Sequence, residues 1–154
     1  MDYYRTVYTE ILAADEITDF ASLSWDAKST LAMGVAMVPN PSSPPFYYDY
    51  FFTRTMEFVP EVWDRLIAFD PYTSLTTYEQ NVLQLTALYL DCGEADGLVA
   101  SNVRFAEKLA WILGLTRQDV FESYEGDHSD KLELRMESEV LPFFSENLKH
   151  EVAE

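Results

Sequence analysis

The sequence has few positively charged residues. Ten lysines and arginines stand against 27 aspartates and glutamates among 154 residues, which gives a formal net charge of −17. Binding to a nucleic-acid backbone or to an anionic membrane surface needs clustered lysine and arginine. The shortage of these residues therefore excludes direct nucleic-acid binding and disfavours a membrane partner. It favours a basic protein partner or metal cations, although solubility alone also accounts for it.

Cysteine and long apolar runs are scarce as well. The single cysteine, Cys92, excludes a disulfide within the chain and makes a cytoplasmic setting the default expectation. The first residues carry acids within their apolar stretch, so we expect no secretory signal. No run reaches the roughly 18 apolar residues of a membrane-spanning helix. With 48% hydrophobic and 15% aromatic residues, the chain is predicted to fold as one domain over residues 1–154.

Hydrophobic spacing predicts helices in the first half of the chain. We expect one over 3–14 and one over 25–38 capped by Ser24. The aromatic run 46–59 is predicted to form a third helix, and Pro60 to open a fourth. The rings of the aromatic run are interpreted as core, with an aromatic binding surface as the alternative.

The middle of the chain carries the clearest helix signals. Thr76 with Glu79 matches a capping box, so we expect a helix that leads to an acidic loop over 91–97. A second helix is predicted over 101–113, followed by a glycine stop and a short return helix over 116–124.

The last segment is ambiguous between strand and helix. Residues 131–140 alternate like a strand, but their leucines, glutamates and methionine favour helix, which we predict. Pro142 is expected to kink it, and an amphipathic segment continues to Val152. The expected fold is therefore an all-α, single-domain bundle of about seven helices. Within it, a helix–loop–helix unit is loosely repeated.

One acidic loop of the chain can be aligned with the calcium-binding loop of an EF-hand. Aligned on residues 92–103, Glu94 and Asp96 occupy the third and fifth positions. Cys92 and Val103 then stand where the first and last carboxylate ligands are needed. We therefore expect no metal site, and no cofactor.

Catalytic patterns are equally weak. Cys92 is a hypothetical nucleophile with His128 or His150 as base, but a lone cysteine is usually a small hydrophobe. Carboxylate pairs such as Glu137 and Glu139 are expected by chance in a chain with 27 acids. Because no phosphate-binding loop or nucleophile elbow is present, we predict no catalytic residues and no enzymatic activity.

The central stretch resembles the tellurite-resistance B-like helical domains. The resemblance rests on Ala95-Asp96-Gly97-Leu98-Val99 and on Leu113-Gly114-Leu115. In that family a helix leads to an acidic Asp-Gly loop, and a second helix closes on Leu-Gly-Leu. The resemblance implies an all-α fold of two such units. It also implies a stress-response role with weak divalent-cation binding at Asp91, Glu94 and Asp96.

The first functional hypothesis is a non-enzymatic acidic protein that binds and blocks a basic surface on a protein partner. An inhibitor, an immunity protein or a nucleic-acid mimic would act in this way, since opposite charges speed the encounter. The stress-response domain is the alternative. The sequence leaves the oligomeric state open. The predicted partner-binding residues lie on loops at one end of the central hairpin: Asp91, Glu94, Asp96, Glu125 and Asp127.

Overall fold

A computed structural model describes residues 2–148. The chain divides into two compact units, Met1–Thr73 and Ser74–Glu154, and each has its own hydrophobic core. None of the helices within the described residues is long and apolar enough to cross a lipid bilayer. The expectation of a single domain over residues 1–154 stays a prediction.

The first unit contains three helices that lie where the sequence predicts them. Its elements are α1 (Asp2–Ala13), a 3-10 turn (Ile17–Ser22), α2 (Trp25–Met37) and α3 (Pro60–Ile67). The Ser24 hydroxyl accepts a hydrogen bond from the Ala27 amide at 3.2 Å, which satisfies a free donor at the start of α2. This confirms the predicted cap.

The prediction of a helix over 46–59 is wrong. Tyr47 and Met56 have φ angles of 56° and 62°, in the left-handed region that interrupts a right-handed helix. The irregular backbone instead turns Tyr48, Phe51 and Phe52 into the core beside α1. The interpretation of the rings as core is confirmed for Phe46, Tyr48, Phe51 and Phe52, whereas Tyr47 is 49% exposed. Burial of the rings outweighed regular backbone hydrogen bonding in this segment.

The second unit is built around two short strands and one long helix. The helical turn α4 (Pro71–Ser74) spans the boundary between the two units in the sequence. The elements that follow are α5 (Glu79–Val82), β1 (Leu90–Gly93), α6 (Val99–Leu113), a 3-10 turn (Arg117–Asp119) and β2 (Phe121–Tyr124). The predicted helix from Thr76 towards the acidic loop is wrong, because only α5 is helical there. The predicted return helix is a single 3-10 turn followed by a strand.

The expectation of an all-α fold is therefore wrong, and the chain is a mixed α/β protein. β1 and β2 pair in parallel, with Leu90 opposite Phe121 and Gly93 opposite Tyr124. The pairing buries Cys92 against α6, which connects the two strands as a crossover helix. A short apolar run has no period that separates a buried strand from a helix, which explains the error. The predicted repeat of a helix–loop–helix unit is therefore wrong as well.

The end of α6 follows the sequence prediction. Gly114 has a φ of 69°, a conformation that glycine adopts without strain. The Leu115 amide donates to the Ala110 carbonyl at 2.9 Å, as in a Schellman motif. This stop turns the chain back towards β2.

One interrupted helix ends the described chain. It consists of α7 (Leu132–Arg135), a π-helical turn (Met136–Val140) and α8 (Leu141–Asn147), and we call it the 132–147 helix. The helix predicted over 131–140 is confirmed in type. The predicted amphipathic continuation is helical as far as Asn147, and its part from 149 to Val152 lies outside the described residues, as does His150.

Candidate functional site

The acidic loops after β1 and β2 lie side by side. Parallel strands in register end at the same edge of a sheet, so the segments that follow them leave the sheet together. The Ala95 amide donates to the Gly126 carbonyl at 2.9 Å, which joins one loop to the other. We call residues 94–98 and 125–130 the sheet-edge loops. They carry five carboxylates and no lysine or arginine.

The structure brings four of the five predicted partner-binding residues into the sheet-edge loops. Glu94, Glu125 and Asp127 are exposed there, whereas Asp96 is buried. Asp91 lies apart from them, within β1. That these residues contact a partner stays a prediction.

Asp96 joins the two sheet-edge loops from the inside. The side chain is only 8% exposed. Its Oδ1 accepts a hydrogen bond from the Leu98 amide at 2.7 Å, and its Oδ2 lies 2.9 Å from Nδ1 of His128. Oδ2 also accepts from the Cys92 thiol at 3.4 Å. These bonds, first that from the Leu98 amide and then that to His128, lower the pKa of the Asp96 carboxyl.

The surroundings of Cys92 favour the neutral thiol over the thiolate. Cys92 is buried, and Asn102 donates to its sulfur at 3.2 Å. Burial raises the pKa of the thiol above its ordinary value. Because the thiolate is the reactive form of cysteine, this environment works against a role as nucleophile. His128 approaches the carboxylate of Asp96, which lies next to this thiol.

Arg135 forms an ion pair with Asp91. Its Nε donates to Asp91 at 2.9 Å and its Nη2 donates to Glu122 at 3.0 Å, while the guanidinium lies 5.0 Å from the centre of the Tyr124 ring. Arg135 also donates to the Tyr89 hydroxyl. The first cause of the lowered pKa of Glu122 is its bond to Arg135, and the second is its bond to Tyr89. Asp91 is therefore a structural residue that anchors the 132–147 helix.

Sequence reasoning missed Arg135 and Glu122 entirely. Arg135 and Asp91 are 44 positions apart, and Arg135 donates to both Asp91 and Glu122, which lie opposite each other in the paired strands. No local spacing in the sequence marks such a pair. The lone arginine between glutamates at 133 and 137 resembles an ordinary solvated helix face.

The residues expected to bind a cation do not converge. Asp91 is bonded to Arg135, and Asp96 is bonded to His128 and Cys92. Across residues 2–148, no group of three or more His, Cys, Asp and Glu side chains is arranged to hold a metal ion.

No protein-family model and no curated protein sequence matches this chain. The resemblance to tellurite-resistance B-like domains therefore stays an expectation.

The lowered pKa of Asp96 predicts how stability depends on pH. A carboxyl with a lowered pKa in the folded state stabilises the fold above its unfolded pKa of about 4, and this is lost as pH falls through the lowered value. Asp96→Asn removes the charge but keeps an oxygen for the Leu98 amide. We expect the variant to be less stable than the native chain at neutral pH, with a difference that shrinks below about pH 4. Urea unfolding followed by circular dichroism measures this, and a difference that stays constant with pH would contradict it.

Proposed function

We propose that the chain is a non-enzymatic acidic protein whose sheet-edge loops bind a basic surface on a protein partner and block it. The observation that carries the proposal is the adjacent, exposed placement of Glu94, Glu125 and Asp127 in loops that lack lysine and arginine. An inhibitor, an immunity protein or a nucleic-acid mimic works by such a surface. Three carboxylates on two joined loops attract a cationic face more strongly than the same charges dispersed over the molecule.

The hydrogen bonds of the loops support this role. Asp127 accepts from the Ser129 amide at 2.9 Å and from the Asp130 amide at 3.2 Å, so its loop is fixed by its own carboxylate. Glu94 accepts from the Ser123 hydroxyl at 3.3 Å. A surface that is ordered before binding loses less conformational entropy when a partner arrives.

The placement of Arg135 also supports the proposal. Its side chain is 13% exposed and is bonded to Asp91 and Glu122. An arginine that faced the sheet-edge loops would offset their charge, whereas this one offsets residues of the strands. We place the activity in the cytoplasm, where a single unpaired thiol such as Cys92 is ordinary.

A charge-matched pair of variants tests the proposal. Glu94→Gln, Glu125→Gln and Asp127→Asn together remove three charges and keep the acceptor oxygens that order the loops. The control combines Glu57→Gln, Glu61→Gln and Asp64→Asn, which removes three exposed charges from the first unit. The probe is a labelled peptide of about 18 residues with alternating lysine and glycine, followed by fluorescence anisotropy in about 20 mM salt.

We expect the loop variant to bind the probe about tenfold more weakly than the native chain, and the control to change affinity by about twofold or less. Raising the salt to about 300 mM should weaken binding of the native chain, because ions screen exposed charges. Equal losses in the two variants would show that net charge alone attracts the peptide. Equal losses, or no binding at low salt, would refute the proposal.

A further inference from the structure

The 132–147 helix exposes a large amount of apolar surface. Six large apolar side chains on it and at its end are between 48% and 60% exposed: Leu132, Leu134, Met136, Leu141, Phe144 and Leu148. Scattered single apolar residues on a surface are normal, but a contiguous apolar surface usually marks an interaction site. These six lie within 17 consecutive positions, counted from 132 to 148.

Within residues 74–148, Arg135 and Phe143 connect one side of this helix to the rest of the unit. Arg135 is bonded to Asp91 and Glu122, and the Phe143 ring lies 5.9 Å from the Tyr89 ring. Arg135 and Phe143 are eight positions apart, so two helical turns place them on one side of the helix. The six exposed apolar residues take no part in these contacts.

Carboxylates are interleaved with the exposed apolar residues. Glu133, Glu137 and Glu146 are exposed on the same helix, and Asp130 is exposed just before it. The basic residues among positions 130–148 are Lys131 and Arg135, and Arg135 is committed to the strand carboxylates. The helix thus combines apolar and acidic character on its open sides.

We propose that the 132–147 helix docks an amphipathic helix of a protein partner, one with an apolar stripe flanked by lysines and arginines. Leucines of the partner would pack on Leu132 and Leu141, and its cations would face Glu133 and Glu137. This names the partner class of the proposed function and rests on it. The complementary charge argues for this occupant over a second copy of the chain, which would bring another formal net charge of −17.

Two peptides of identical composition separate docking from plain charge attraction. One is a leucine–lysine peptide of about 18 residues with leucines at helical spacing, and the other is its scrambled form. The test variant is Leu132→Ser with Leu141→Ser. The control is Leu83→Ser with Leu85→Ser, two exposed leucines elsewhere in the same unit. Anisotropy of each labelled peptide is measured in about 150 mM salt, and sedimentation velocity reports the oligomeric state.

We expect the helical peptide to bind at least about tenfold more tightly than the scrambled one, because only it presents a continuous apolar stripe. The Leu132→Ser, Leu141→Ser variant should lose about tenfold in affinity for it, and the control about twofold or less. Equal binding of the two peptides, or full binding by the test variant, overturns the docking proposal. If the helical peptide nevertheless binds more weakly to the variant with Glu94→Gln, Glu125→Gln and Asp127→Asn, the docking proposal fails but the proposed function of the sheet-edge loops is retained.

Two further outcomes would assign the apolar surface to another occupant. A dimer of the native chain that the Leu132→Ser, Leu141→Ser variant does not form would indicate a second copy. Co-sedimentation with uncharged phosphatidylcholine vesicles, lost in the same variant, would indicate a lipid surface. Either result overturns the proposal of a basic helix.

Discussion

Phe51→Ala should destabilise the first unit by about 3–5 kcal/mol. The Phe51 side chain is 1% exposed. Its ring centre lies 4.4 Å from that of Tyr8, 5.2 Å from that of Trp63 and 5.4 Å from that of Tyr4. Truncation to alanine removes the ring from these contacts and leaves a cavity that the surrounding rings fill only in part.

The matched control for this prediction is Phe69→Ala in the same unit. The Phe69 side chain is 57% exposed, so its loss should change the unfolding free energy by about 0.5 kcal/mol or less. Urea unfolding at constant temperature, followed by circular dichroism, gives both values. Equal effects of the two substitutions would show that the aromatic cluster does not hold the first unit together.

The same experiment tests the prediction of a single domain. If residues 1–154 unfold as one cooperative unit, Phe51→Ala should shift the whole transition to lower urea. Two transitions, of which Phe51→Ala moves one and leaves the other in place, would instead show that Met1–Thr73 and Ser74–Glu154 unfold independently.

Helices with explicit end signals are the part of this fold that the sequence predicts well. Ser24 marks the start of α2, Pro60 begins α3, and Gly114 follows the last residue of α6. Each signal acts through the backbone of its own helix end, by a hydroxyl acceptor, a fixed φ or a left-handed turn. Local chemistry of this kind is visible without knowledge of the fold.

The elements that the sequence mispredicts depend on distant partners. Leu90–Gly93 becomes a strand because Phe121–Tyr124 pairs with it, and the intervening α6 covers one face of the pair. The aromatic run 46–59 stays irregular because its rings fill space beside α1. Neither partner is visible from the composition of the segment itself, so hydrophobic spacing favoured helix in both places.

The candidate site likewise has a part that the sequence predicts and a part that depends on distant residues. The sequence predicts an acidic loop at the end of an element, and the hydrogen bond from the Ala95 amide to the Gly126 carbonyl joins the loops that carry Glu94 and Asp127. Bonds between residues far apart in the sequence determine which carboxylates remain available. Asp96 is bonded to His128, and Asp91 is bonded to Arg135. Net charge predicts an acidic surface, whereas bonds between distant residues determine which of these carboxylates are engaged within the fold.

Gly93→Ala is the second prediction with a large effect, and it acts on the sheet-edge loops themselves. A Cβ atom at Gly93 would lie 2.5 Å from the carbonyl oxygens of both Gly126 and Asp127. These are backbone atoms, so no side-chain rotation relieves the clash. We expect the 125–130 loop to be displaced from β1 and the second unit to lose about 1–3 kcal/mol of stability. Urea unfolding measures the loss.

Gly97→Ala is the control, because a Cβ atom at Gly97 meets no heavy atom within 4 Å. The displaced loop should also release the Ala95 amide from the Gly126 carbonyl, which hydrogen exchange detects as faster exchange at residue 95 in Gly93→Ala alone. Since Glu125 and Asp127 move with that loop, Gly93→Ala should weaken binding of the lysine–glycine peptide although no charge is changed. Native exchange at residue 95 together with native peptide affinity would contradict the view that close loop packing orders the acidic surface.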